Sequence, residues 1–191
     1  MTRPASRAGW PRGRGLDGGI DRIPLPVQAG GLSLCGKHAV GPDPEGALAR
    51  AGADTIVCLT ERHELADRYP AYVDWLATHR GRRALWFPVP DLHALSLDDT
   101  RALVRSLRAR IDAGEHLLVH CAAGIGRAGT IATCLLIELG LDRERALAVV
   151  AANRPMAGPE VGAQRDLVDA VAATPADRDV QSSPCPTPRS I

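Results

Sequence analysis

A cysteine, two glycines and an arginine stand close together in the middle of this chain. His116-Leu117-Leu118-Val119 runs into His120-Cys121-Ala122-Ala123-Gly124-Ile125-Gly126-Arg127, and an apolar segment follows. The residues before Cys121 read as a strand and those after Arg127 as a helix. Cys121 therefore falls where a ring of loop N–H groups meets a helix N-terminus, an arrangement that binds anions. Gly124 and Gly126 permit the tight curve such a loop requires. The same field favours a thiolate over a thiol. Arg127 closes the loop with a planar fork that matches two phosphate oxygens, which a lysine could not do. The chemistry these residue types allow is attack by sulfur on a bound oxyanion ester.

The elements that must position this loop can be read on either side of it. Gly31–Cys35, Thr55–Leu59, Arg83–Val89 and His116–Val119 are short apolar runs with the character of strands. Helical patterns cover Pro44–Ala51, Tyr72–Thr78, Arg127–Leu139, Asp142–Asn153 and Pro159–Ala172. The clearest helix starts at Ser96, where Ser96 and Asp99 form a capping-box pattern, and Gly114 stops it. Strands alternating with helices predict an α/β fold: a largely parallel central sheet with helices on both faces. Ligands in such sheets sit beyond the carboxyl ends of the strands, where Cys121 lies.

Composition bounds the rest. The chain has 191 residues and 45% hydrophobic content, enough for one domain. Residues 1–22 are rich in Gly, Arg and Pro, and residues 174–191 are rich in Pro. Both tails are expected to be disordered, leaving a catalytic domain over 23–173. A net charge of +1 and 3% aromatic residues argue against a nucleic-acid partner. No apolar run approaches the ~20 residues of a membrane span, and no apolar segment follows the N-terminal arginines as in a signal peptide. The five cysteines, at 35, 58, 121, 134 and 185, are scattered without a C-x-x-C pair. They read as reduced thiols of a cytoplasmic protein, not as disulfides or a zinc site.

His-Cys-x-x-Gly-x-x-Arg between strand and helix resembles the signature of cysteine-dependent protein tyrosine phosphatases. The surrounding chain, over about residues 23–172, is most similar to their small dual-specificity branch, including the kinase-associated phosphatase group. The resemblance implies that Cys121 attacks phosphorus, that Arg127 binds phosphate and that His120 orders the cysteine. It also implies a general acid on a separate loop, and Phe87-Pro88-Val89-Pro90-Asp91 resembles that segment, with Asp91 as the acid. The backbone of Ala122, Ala123, Gly124, Ile125 and Gly126 would hold the phosphate. Gln164, after Arg154-Pro155, resembles the family's late glutamine and is expected near substrate. Thr60 and Glu61 follow a strand and would either support Arg127 or begin a solvated helix. One position departs from the pattern. The family usually has Ser or Thr after the arginine, where the hydroxyl helps the thiolate leave, and this chain has Ala128. Thr130 is nearby but points elsewhere from its place on the helix.

Two decoys are set aside. Gly124-x-Gly126-x-x-Gly129 resembles a dinucleotide fingerprint, but helices follow it where that fold needs a strand. Gly31 to Lys37 falls one residue short of a Walker A loop and lacks the hydroxyl that holds magnesium. The expected activity is hydrolysis of phosphotyrosine, with phosphoserine and phosphothreonine open, through a phosphocysteine. The alternative is a weakly active, phosphate-binding pseudophosphatase. Intact Cys121, Arg127 and Asp91 favour the first. Uncharged loop positions favour a phosphoprotein or phosphopeptide substrate over inositol lipids. No cofactor or metal, no membrane and a monomeric state are expected.

Overall fold

The computed structural model describes residues 17–173. Five strands form one sheet: β1 (Ile20–Ile23), β2 (Gly31–Gly36), β3 (Thr55–Cys58), β4 (Ala84–Trp86) and β5 (His116–Cys121). Their order is β1-β2-β5-β3-β4, with β1 antiparallel to β2 and every other pairing parallel. This is the expected α/β architecture. Strand β1 lies partly within residues 1–22, whose composition alone reads as a tail. Ile20-Asp21-Arg22-Ile23 pairs residue for residue with Cys35-Leu34-Ser33-Leu32, and Ile23 is buried in the core. The ordered domain thus starts before the expected residue 23. Residues 1–16 and 174–191, where the other tail assignments fall, lie outside the described residues.

Alternation along the strands feeds two cores. Leu32, Leu34, Val57, Leu117 and Val119 face one side, under α5 (Leu97–Asp112), α6 (Gly126–Glu138), α7 (Arg143–Asn153) and α8 (Gly162–Ala173). Cys35, Ile56, Cys58 and Leu118 face the other. There they meet α1 (Lys37–Val40), α2 (Pro44–Ala51), α3 (His63–Ala66) and α4 (Pro70–Thr78). Caps fix the helix starts. Ser96 Oγ accepts from the Asp99 amide at 3.1 Å, while Asp43 and Asp142 do the same for α2 and α7. Strand β4 is shorter than its apolar run because Pro88 and Pro90 have no N–H to continue the ladder. The Phe87 and Val89 amides still bond to the Cys58 and Leu59 carbonyls, so the segment stays against β3 as far as Asp91 begins. Helix α8 starts three residues later than the pattern suggested, and residues 159–161 belong to the loop before it.

Candidate active site

Strand β5 is buried along its whole length and delivers Cys121 to the carboxyl edge of the sheet. The five carbonyls that follow are each taken by a donor outside the loop's concave face. Cys121 O accepts from His120 Nδ1 (3.3 Å) and Ala122 O from the Lys37 amide (3.1 Å). Ala123 O and Gly124 O accept from Arg154 Nη2 (2.7 Å) and Nε (2.6 Å), and Ile125 O from the Gly129 amide (2.8 Å). In a trans peptide, C=O and N–H point in opposite directions. Holding these carbonyls outward therefore turns the N–H groups of residues 122–126 toward the concave side, a nest with the geometry to suit an anion. Gly124 has φ +75°, where an L side chain is strained, and a Cβ there would meet the Cys35 carbonyl.

Arg127 is the second residue of α6, at the far end of the loop, with its side chain only 2% exposed. Nη1 and Nη2 donate to the two Glu64 carboxylate oxygens at 2.6 and 2.9 Å, and Nη1 also donates to Val89 O at 2.7 Å. Asp91 Oδ1 lies 3.1 Å from Nη2, with its carboxylate 68% exposed to solvent. The Phe87–Asp91 segment is thus brought to the arginine. Burial works against the Arg127 charge, but Glu64, Cys121 and Asp91 outweigh it and raise its pKa. Burial likewise opposes the Glu64 carboxylate, yet hydrogen bonds from Arg127 and the Glu61 amide hold its pKa below the usual value.

His120 is fully buried. Its Nδ1 faces a carbonyl and so must carry the proton. Nε2 is then the acceptor for the Tyr72 hydroxyl at 2.7 Å. Burial pushes its pKa down to about 4, which keeps the ring neutral in that tautomer.

Two residues in this assembly carry no mark in the sequence reading, Glu64 and Tyr72, while Arg154, named there only as part of the segment that resembles the family's late glutamine stretch, binds the loop directly. Glu61 and Thr60 were the candidates to support Arg127, and the support comes instead from Glu64, one turn on. Thr60 is buried against the Cys58 sulfur, and Glu61 contributes its amide to Glu64. The capping-type spacing of Glu61 and Glu64 was a usable signal. Tyr72 lies 48 residues from His120 and carries no local signal. Gln164 lies beside the loop, its Oε1 3.2 Å from where a Cβ on Gly126 would stand. It is completely buried: Oε1 accepts from the Glu160 amide (2.9 Å) and faces Thr130 Oγ1 (3.4 Å), while Nε2 donates to His93 O (3.1 Å). Its amide ties α8 to the segment that follows Asp91. Thr130 turns its hydroxyl to Gln164 Oε1, and Ala128, buried in the core, has no hydroxyl to offer the cysteine.

Among the described residues, no group of three or more His, Cys, Asp or Glu side chains could hold a metal ion, and no helix is long and apolar enough to cross a membrane.

The family model PTP-SAK, described as a Swiss Army Knife protein, DSP-PTPase phosphatase domain, matches residues 34–187. Among solved structures, the chain is similar to Tk-PTP in its active form. The two share 26% identity over 77% of this chain and 93% of that one, with a TM-score of 0.59. Kinase associated phosphatase, bearing serine in place of its catalytic-site cysteine, matches at 21% identity and a TM-score of 0.66, over 82% and 97% of the chains. Human DUSP28 matches at 24% identity and a TM-score of 0.57, over 74% and 88%. No curated protein sequence matches the chain.

Proposed function

The chain belongs to the PTP-SAK family of DSP-PTPase phosphatase domains, and from that premise we propose that it hydrolyses phosphotyrosine in proteins, and phosphoserine or phosphothreonine where the pocket admits them. The observation that carries this reading is the loop itself. Cys121 and Arg127 close the two ends of one nest whose carbonyls are all turned away, with a solvent-exposed carboxylate at its rim.

In the first step the Cys121 thiolate attacks phosphorus from the floor of the nest. The bond between phosphorus and the ester oxygen breaks, and Asp91 gives that oxygen a proton as it leaves. The inward N–H groups and Arg127 hold the three non-bridging oxygens while charge gathers on them. In the second step Asp91 takes a proton from water, the water oxygen bonds to phosphorus, and the sulfur departs as thiolate. The products are inorganic phosphate and the free cysteine. His120, neutral and pinned by Tyr72, orients the Cys121 carbonyl and does not exchange protons. Gln164 acts as a strut for the Asp91 loop. Uncharged side chains at Ala122, Ala123 and Ile125 support a singly phosphorylated side chain as substrate in preference to a polyphosphorylated headgroup. A reducing compartment such as the cytoplasm suits a nucleophile that must stay a free thiol.

Ala128 supports a slower second step, because no hydroxyl stands ready for the leaving sulfur. Cys121→Ser tests the whole reading. It should abolish turnover of a phosphotyrosine peptide while the peptide still binds, measured by calorimetry, since Arg127 and the N–H ring persist. Retained turnover would remove Cys121 from the mechanism.

A further inference from the structure

Arg154 is the largest fully buried side chain among the described residues, and its charge is not offered to any ligand. Nε and Nη2 hold the carbonyls of Gly124 and Ala123. Nη1 bonds to Asp21 Oδ2 at 2.6 Å, and to Gly19 O and Leu34 O at 3.3 Å each. The guanidinium thus joins two peptide units of the catalytic loop to the antiparallel edge strand β1, more than 100 residues earlier in the chain. Burial lowers the Arg154 pKa, and the sulfurs of Cys35 and Cys121 oppose that shift.

Those two peptide units are the ones that most need holding. Gly124 stands between them, and glycine tolerates either sign of φ, so rotation of either unit meets little local resistance. A rotated unit would put a carbonyl oxygen where an anion must sit and remove one N–H donor from the nest. The neighbouring units are secured otherwise, by the Lys37 amide on one side and by the first turn of α6 on the other.

We propose that Arg154 is a positioning residue that sets the oxyanion affinity of the loop by fixing the Ala123–Gly124 and Gly124–Ile125 peptides, with Asp21 on β1 as its anchor. This rests on the reading of the loop as a phosphate site. Lysine at 154 keeps the positive charge but gathers its donors at one point and cannot reproduce the planar fork that spans the Ala123 and Gly124 carbonyls and Asp21, so the fork and the charge are separable.

The test is calorimetric titration of the full chain with inorganic phosphate, alongside steady-state kinetics on a chromogenic phosphate ester. Arg154→Lys should weaken phosphate binding and raise KM by about 10- to 100-fold, the worth of one or two hydrogen bonds to an anion. Its kcat should change much less. Asp21→Ala should act in the same direction, by several-fold, and Asp21→Glu should recover part of the loss. Arg22→Ala, on the exposed side of the same strand, should leave affinity unchanged. If Arg154→Lys does not fold, the Asp21 variants decide, because that side chain is partly exposed and its loss spares the core. Wild-type phosphate affinity in Asp21→Ala, or a fall in Tm without any change in affinity, would overturn the proposal. Wild-type protein that bound no phosphate at all would instead overturn the reading of the loop on which the proposal stands.

Discussion

Arg127 and Arg154 meet the same loop from its two faces, and both are almost wholly buried. Arg127 sits among carboxylates, Glu64 and Asp91, and takes only one backbone carbonyl, that of Val89. Arg154 sits among carbonyls and takes one carboxylate, Asp21. The partners decide the work. The bidentate Glu64 pair fixes the direction of the Arg127 guanidinium, with Nη1 also on Val89 O and Nη2 beside the exposed Asp91 carboxylate, so an anion would be met by Nε–H and by the donors Asp91 gives up. A cage of carbonyls consumes the donors and transmits rigidity to the backbone instead. On the proposed function Arg127 is the ligand-facing arginine and Arg154 the architectural one; the spacing from Cys121 marks the first in the sequence, and nothing local marks the work of the second.

Exchange of each for lysine should break this symmetry of type. Arg127→Lys should lower kcat on the order of 10²–10³, because the donors that follow the developing charge are gone. Arg154→Lys, by the argument above, shows itself in KM. Equal kinetic signatures for the two variants, measured on one chromogenic ester, would mean that the comparison is false. A smaller effect sharpens the ligand-facing side. Ala128→Ser restores a hydroxyl next to Arg127, and should raise kcat by about tenfold, within the range for a hydrogen bond to a charged group. Rapid mixing of the wild type should show a burst of product that this variant shrinks. Absence of a burst, with kcat unmoved by the substitution, would place the slow step elsewhere.

The smallest expected effect is on stability, and it belongs to the rigid side. His120 has a folded pKa of about 4 against an ordinary value of 6.5, with burial as the main cause. Its neutral form is favoured by folding, so its contribution is complete above pH 6.5. It is lost as pH falls from 6.5 toward 4, with the slope of a single proton. Denaturant unfolding of the wild type across that window, compared with Tyr72→Phe, checks it. The variant leaves Nε2 without its donor and should shift the window upward.

Much of this was legible because it is local. The strand–loop–helix around Cys121 is announced by an apolar run, two glycines and an arginine, and Ser96 and Asp99 mark α5 by direct capping. What stayed hidden was held by contacts distant in sequence. Tyr72 reaches His120, Glu64 reaches Arg127 and Asp21 reaches Arg154 across 48, 63 and 133 residues. No periodicity encodes such pairings. The strand β1 was concealed for a related reason: four residues amid glycine and proline become a strand only once β2 offers an edge. Gln164 could be placed near the loop from its resemblance, but its hydrogen bonds to the Glu160 amide and His93 O depend on long-range packing and leave no local trace.

The place of β5 in the sheet has a consequence for assembly. It pairs with β2 on one side and β3 on the other, and these two neighbours do not pair with each other. A nascent chain that has reached only α5 therefore carries two open parallel edges, the kind of surface that templates pairing between molecules. Both are sealed by the same six residues, and the last of those is Cys121. The segment that closes the sheet thus also carries Cys121 to the sheet's carboxyl edge, so the cysteine proposed as nucleophile takes its place only as both open edges are covered.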